Sequence, residues 1–169
     1  LAISSGLNLL VNKACGKEER HNIVFHVDNT GLFSSLHDIG QEENIKGHFG
    51  LLKEIQLKTD SIEVDIVPLN SLLEHTPPGC DIDFVSIDVE GAELDVLYGF
   101  DLVKYRPRVL VIETNTPEAM HEIDTYLQGA EYMFARRTNA NSFYVTSQCD
   151  REKLNSIELN CIIEKQVHP

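Results

Sequence analysis

Asp88, Glu90 and Glu93 place three carboxylates within six residues, in the stretch Ile82–Leu97, IDFVSIDVEGAELDVL. A fourth, Glu113, closes the run Arg108–Glu113 and is followed by Thr114 and Asn115. If the two strand ends lie side by side, Asp88, Glu113 and the amide oxygen of Asn115 offer the oxygen ligands that a hard divalent cation such as magnesium takes. Simpler readings stand beside this one. An acid in a first helical turn is stabilised by the helix dipole by roughly 0.3–1 kcal/mol without any catalytic duty, which covers Glu90 and Glu93. Glu93, three residues after Glu90, also has the spacing of a capping box. Asp88 can cap or brace a loop, and a close acid pair can be partly neutralised by a raised pKa.

The elements around these acids set their geometry. Ile82–Ile87 is a short apolar run of β-favouring residues, expected as a strand buried on both faces of a parallel sheet. Ala92–Tyr98 follows as a helix, with Leu94, Leu97 and Tyr98 on one apolar face. Arg106-Pro107 forces an extended entry into Arg108–Glu113, RVLVIE, a second buried strand. Strand, acidic turn and helix is the layout in which open α/β sheets hold ligands, just outside the carboxyl ends of the strands. Glu113 should therefore come near Asp88.

The rest of the chain supplies the frame. Leu7–Ala14 reads as a strand, and Asn22–Val27 alternates with Ile23, Phe25 and Val27 on one face. His37–Thr59 is polar, with one short helix expected at Phe49–Ile55, and is the expected substrate-facing insertion. Ser61–Val67 is a further alternating strand, and Pro68–Leu73 starts a short helix. Thr116-Pro117-Glu118 opens a helix that Gly129 closes. Tyr132–Arg136 and Ser142–Thr146 form a hairpin around Thr138–Asn141. The remainder, Cys149–Pro169, carries at most a marginal helix with Ile157, Cys161 and Glu164 on one side.

Composition excludes several function classes. The chain has 169 residues, enough for one ordinary domain, with 42% hydrophobic and 24% charged residues. Lys and Arg number 14 against 27 Asp and Glu, a net charge of −13, which repels nucleic-acid backbones and anionic membrane surfaces. No apolar run approaches the roughly 20 residues that span a bilayer. Cys15, Cys80, Cys149 and Cys161 are dispersed and never spaced as CxxC, so the default is a reducing cytoplasm without structural zinc. The seven histidines show no HxxH or HExxH spacing.

The stretch IDFVSIDVEGAELDVLYGFD, followed by KYRPRVLVIETN, resembles the signature of the FkbM family of S-adenosylmethionine-dependent methyltransferases. The likeness extends from about Leu9 to Val145, through Gly31–Leu36 (GLFSSL) and the final hairpin. It implies an α/β fold: a partial Rossmann-like class I methyltransferase fold, mostly parallel, with a C-terminal antiparallel hairpin. Residues 1–147 would form this domain and 148–169 a C-terminal tail. The implied reaction moves a methyl group from S-adenosylmethionine to a hydroxyl of a sugar, glycan, lipid or secondary metabolite. Asp88, Glu90 and Glu113 would be catalytic, Asp88 as the proton acceptor or the group that orients the hydroxyl. Ala14, Cys15 and Asp88 would line the cofactor site. Ser34, Ser35, Arg137 and Asn141 would face the acceptor. The resemblance does not itself imply a metal.

Two elements of that fold are not in the sequence. The ten glycines include no GxGxG turn, and no second strand ends in a ribose-binding acid. Two βα units of roughly 30 residues each would carry them, so the chain is read as beginning at the third strand. Without the first strand, the central strand Ile82–Ile87 should show an unpaired apolar edge, open to another chain or a second copy. The rival function follows from that edge: a methyltransferase-like module that binds or assembles rather than catalyses.

Overall fold

The structure, a computed structural model, describes residues 10–28, 59–74 and 81–157. The expected helix at 49–55, the GLFSSL loop and residues 7–9 of the expected strand at 7–14 lie outside the described residues, while residues 10–13 are not strand and only Ala14 of that run pairs. Seven strands and four helices are described: β1 (Ala14–Cys15), β2 (Arg20–Asp28), β3 (Thr59–Val67), α1 (Leu69–Leu73), β4 (Phe84–Ile87), α2 (Glu93–Tyr98), β5 (Val109–Glu113), α3 (Pro117–Gly129), β6 (Met133–Thr138), β7 (Asn141–Val145) and α4 (Gln148–Ser156).

The strands form two sheets, in the orders β1-β3-β2 and β4-β5-β7-β6. In the first, β1 runs parallel to β3 and β2 antiparallel to it, with Phe25 opposite Ile62 and Ile23 opposite Val64. That register keeps the two alternating apolar sets on one face. In the second, β4 and β5 are parallel, while β5–β7 and β6–β7 are antiparallel. The α/β class expected from the sequence holds, and so does the C-terminal hairpin. The mostly parallel sheet does not hold among the described residues, because β7 folds back against β5 and leaves one parallel pair in each sheet.

One face of the larger sheet carries the core. Leu110 and Ile112 of β5, Tyr144 of β7 and Ile87 of β4 pack against Val96 and Leu97 of α2 and Ile123 and Leu127 of α3. The local signals explain these helices. Thr116 caps α3 by accepting from the Ala119 N–H at 3.1 Å, and Pro117 stands at its first position. The α2 helix ends at Gly99, where another chain segment comes too close for a side chain. A Cβ there would clash with the Gly16 carbonyl oxygen, 2.1 Å away. That contact ties the end of β1 to α2.

The other face is thinly covered at β4. Phe84 is 66% exposed and Ser86 is exposed, so β4 is buried on one face rather than two. The reason is positional. β4 is the last strand of its sheet among the described residues, with β5 as its one neighbour, and α2 and α3 cover only the Ile87 side. At the opposite edge, α4 begins at residue 148, within the segment expected to carry at most a marginal helix. Ser147 caps it, and Arg136 of β6 donates to the Leu154 and Ile157 carbonyls at its end. No helix among the described residues is long and apolar enough to cross a membrane.

Candidate active site

The register of the parallel pair brings the acids together. Ile87 lies opposite Ile112, so Asp88 and Glu113 follow as neighbours at the carboxyl ends of β4 and β5. Asp88, Glu90 and Glu113 each offer a carboxylate oxygen, and these atoms all lie within 4.8 Å of one another. The expected meeting of Asp88 and Glu113 is present in this geometry.

Backbone conformation delivers Glu90 to the cluster. Glu90 and Gly91 both have positive φ, 53° and 99°. For Gly91 this costs little, while a glutamate in the left-handed region is strained by about 1–2 kcal/mol. Glu93 braces the turn. Its Oε1 accepts from the N–H of Val89 at 3.1 Å and of Gly91 at 3.0 Å, and the residue is 5% exposed. It is the first helical residue after the cap Ala92, so the capping-box reading with Glu90 is replaced by this double acceptor.

Glu113 has the most perturbed chemistry of the three. Burial, followed by the charges of Asp88, Glu90 and Glu93, lifts its pKa from the ordinary 4.5 to about 7. A hydrogen bond from the Asn115 side chain acts the other way. The Oε2 atom is buried with no hydrogen-bond partner among the described residues, so no donor there stabilises a negative charge on that oxygen. At neutral pH this carboxyl is poised between acid and base.

The end of β5 is fixed by contacts the sequence did not reveal. Thr114 and Ser142, both fully buried, share a hydroxyl hydrogen bond of 2.8 Å. The Thr114 N–H donates to the Ala140 carbonyl at 2.7 Å, and Arg137 donates to the Thr114 carbonyl. Arg137 thus clamps the strand end. The "ET" within RVLVIETN marks the place, but the partner on β7 depends on tertiary pairing.

Other expected site residues lie elsewhere. Ala14 and Cys15 pair with Ile66 and Val67 in the smaller sheet and are not among the clustered acids. Cys15 is half-buried against the core, and burial raises its thiol pKa. Asn141 pairs with Glu113 across β5 and β7. Ser34 and Ser35 lie outside the described residues. Of the magnesium set expected from the sequence, Asp88, Glu113 and Asn115, the two acids meet and are joined by Glu90, and the Asn115 side chain hydrogen-bonds Glu113. Exposed acidic groups are common without an ion, so the cluster by itself does not assign magnesium.

A family model described as a methyltransferase FkbM domain matches residues 4–134. It therefore covers the β4–α2–β5 unit and stops within β6. No curated protein and no solved structure gave a match.

Proposed function

The chain belongs to the FkbM methyltransferase family, and from that premise we propose that it moves a methyl group from S-adenosylmethionine to a hydroxyl oxygen of a sugar, glycan, lipid or secondary metabolite. The observation that carries this reading is the convergence of Asp88, Glu90 and Glu113 at the ends of a parallel strand pair, with Glu113 titrating near neutrality. S-adenosylmethionine supplies an electrophilic methyl on a positively charged sulfur. A carboxylate cluster suits a cation, so the donor set present fits that charge. Cys15 and Ala14, on β1, belong to the reading as cofactor-lining residues, and Asp88 joins them from the acid cluster.

The chain's own residues then have distinct roles. Asp88, exposed at the strand end, orients the acceptor by accepting a hydrogen bond from a donor group next to the reacting hydroxyl. Glu113 takes the hydroxyl proton, for which a pKa near the working pH is the favourable choice. Glu90 adds negative charge that keeps the Glu113 carboxylate a strong enough base. A methyltransferase-like fold, with residues 1–147 as its domain and 148–169 as a tail, is part of the same proposal. So are a cytoplasmic setting and the absence of nucleic-acid and membrane partners.

The test is transfer of labelled methyl from S-adenosylmethionine to a panel of glycosides and other alcohols by the full-length chain. Wild type is expected to transfer, with a rate that rises as pH climbs through about 7. Glu113→Gln should lower the rate by about 100-fold or more, the usual worth of a positioned base. A Glu113→Gln variant as fast as wild type would remove Glu113 from the mechanism. The second reading, a binding or assembly module, is favoured by one observation, the 66% exposure of Phe84 on the β4 edge. It predicts pairing of β4 with a second copy or another chain and no methyl transfer to any acceptor.

A further inference from the structure

Glu93 is a buried acid beside the site, yet it stands outside the cluster of oxygen atoms formed by Asp88, Glu90 and Glu113. The N–H groups it accepts, those of Val89 and Gly91, flank Glu90. Glu90 itself sits at φ 53°, a conformation that a glutamate leaves unless its surroundings hold it there. A single oxygen receiving N–H groups from both sides of the strained residue is such a restraint. Two part-buried hydrogen bonds to a charged acceptor together outweigh the strain of one left-handed side-chain-bearing residue.

We propose that Glu93 is a positioning residue whose buried carboxylate locks the Val89–Gly91 turn in its left-handed form and so aims Glu90 at Glu113 and Asp88. The proposal rests on the reading of Asp88, Glu90 and Glu113 as the site. It assigns Glu93 no contact with substrate. This role accounts for the burial of Glu93, since a carboxylate is rarely buried unless paired, and here two main-chain N–H groups replace water. Its charge also bears on Glu113, which faces Asp88, Glu90 and Glu93 as acids and Asn115 as a hydrogen-bond donor.

The experiment compares Glu93→Gln, Glu93→Asp and Glu93→Ala in the full-length chain. Amide hydrogen exchange at Val89 and Gly91 is read together with the titration of the Glu113 carboxyl by NMR. Glutamine keeps an oxygen in place, so protection at both amides should stay within about threefold of wild type, the change that weakening rather than losing a hydrogen bond brings. Aspartate is one methylene too short to reach both N–H groups, and alanine has no acceptor. In each, exchange at Val89 and Gly91 should quicken about tenfold or more, as the loss of a buried hydrogen bond does. Glu113 should titrate lower in the aspartate variant than in wild type, because the charge at residue 93 is kept while Glu90 leaves its side. Leu127 and Tyr144 amides should be unchanged in all three. If alanine proves unfoldable, the aspartate and glutamine pair decides. Unchanged exchange in the aspartate variant, or the same Glu113 midpoint in aspartate and wild type, would overturn the role. Absence of methyl transfer by wild type, with these exchange results intact, would instead remove the catalytic reading and leave the brace.

Discussion

Strands β4 and β5 run parallel, pair residue for residue, and each delivers an acid at its end, yet their surroundings differ sharply. β5 lies between β4 and β7, with Leu110 and Ile112 at 0% exposure, and its end is pinned by Thr114, Ser142 and Arg137. β4 has one strand neighbour among the described residues, and Phe84 is 66% exposed. The acids inherit this difference. Glu113, at the end of the inner strand, has its pKa raised to about 7, whereas Asp88, past the edge strand, is exposed. Two carboxylates of similar chemistry thus divide into a proton-holding group and a solvent-facing one, because one strand is enclosed and the other is not.

The largest effect should come from breaking the enclosed strand. Leu110→Ala removes a fully buried side chain from the middle of the core and should cost about 3 kcal/mol, seen as a fall in the urea midpoint. A loss below about 1 kcal/mol would mean that β5 is not the buried member of the pair. Next comes Gly99→Ala, which should cost about 2 kcal/mol by forcing the Gly16 carbonyl away from α2. It should also loosen the acidic turn ahead of α2. Thermal unfolding checks this, and a variant as stable as wild type would show that the close approach of the two glycines is not kept in solution.

A smaller effect, of defined sign, belongs to Glu113. Its folded pKa, about 7, lies above the ordinary glutamate value of about 4.3. Below that ordinary value both folded and unfolded states hold the proton, and the full stability is present. As pH rises from there to about 7 the unfolded chain releases its proton first, so stability falls across that window. Glu113→Gln should flatten this part of the stability–pH curve, measured by denaturant unfolding at a series of pH values. The smallest effect should be at Phe84. Phe84→Ser should change stability by no more than about 0.5 kcal/mol, as exposed substitutions do, and should lower any self-association seen by sedimentation. A large destabilisation would mean that the open face of β4 is covered in solution.

What was legible in the sequence was local. RVLVIE reads as a strand wherever it is placed, and Thr116-Pro117 starts a helix by its own chemistry. The meeting of Asp88 and Glu113 was legible too, since two parallel strands in register bring their ends together. The open edge of β4 among the described residues was foreseen from the missing first strand, but its uncovered face was not, because Phe84 carries the same apolar signal whether or not a layer covers it. Nor was the role of Glu93. A three-residue spacing suggests a capping box, whereas the positive φ of Glu90 and Gly91 turns the N–H groups of Val89 and Gly91 toward Glu93. Asn115 reads from the sequence as an oxygen ligand, and its hydrogen bond to Glu113 depends on the two side chains meeting at the strand end.

The enclosed strand, on this account, holds its terminal acid partly protonated at neutral pH beside two other carboxylates. Carbon-detected NMR titration of the Glu113 side chain reads this directly. The expected midpoint is near 7, falling when Asp88→Asn removes a neighbouring charge. A midpoint in the ordinary glutamate range, about 4.3, and indifferent to Asp88, would contradict it.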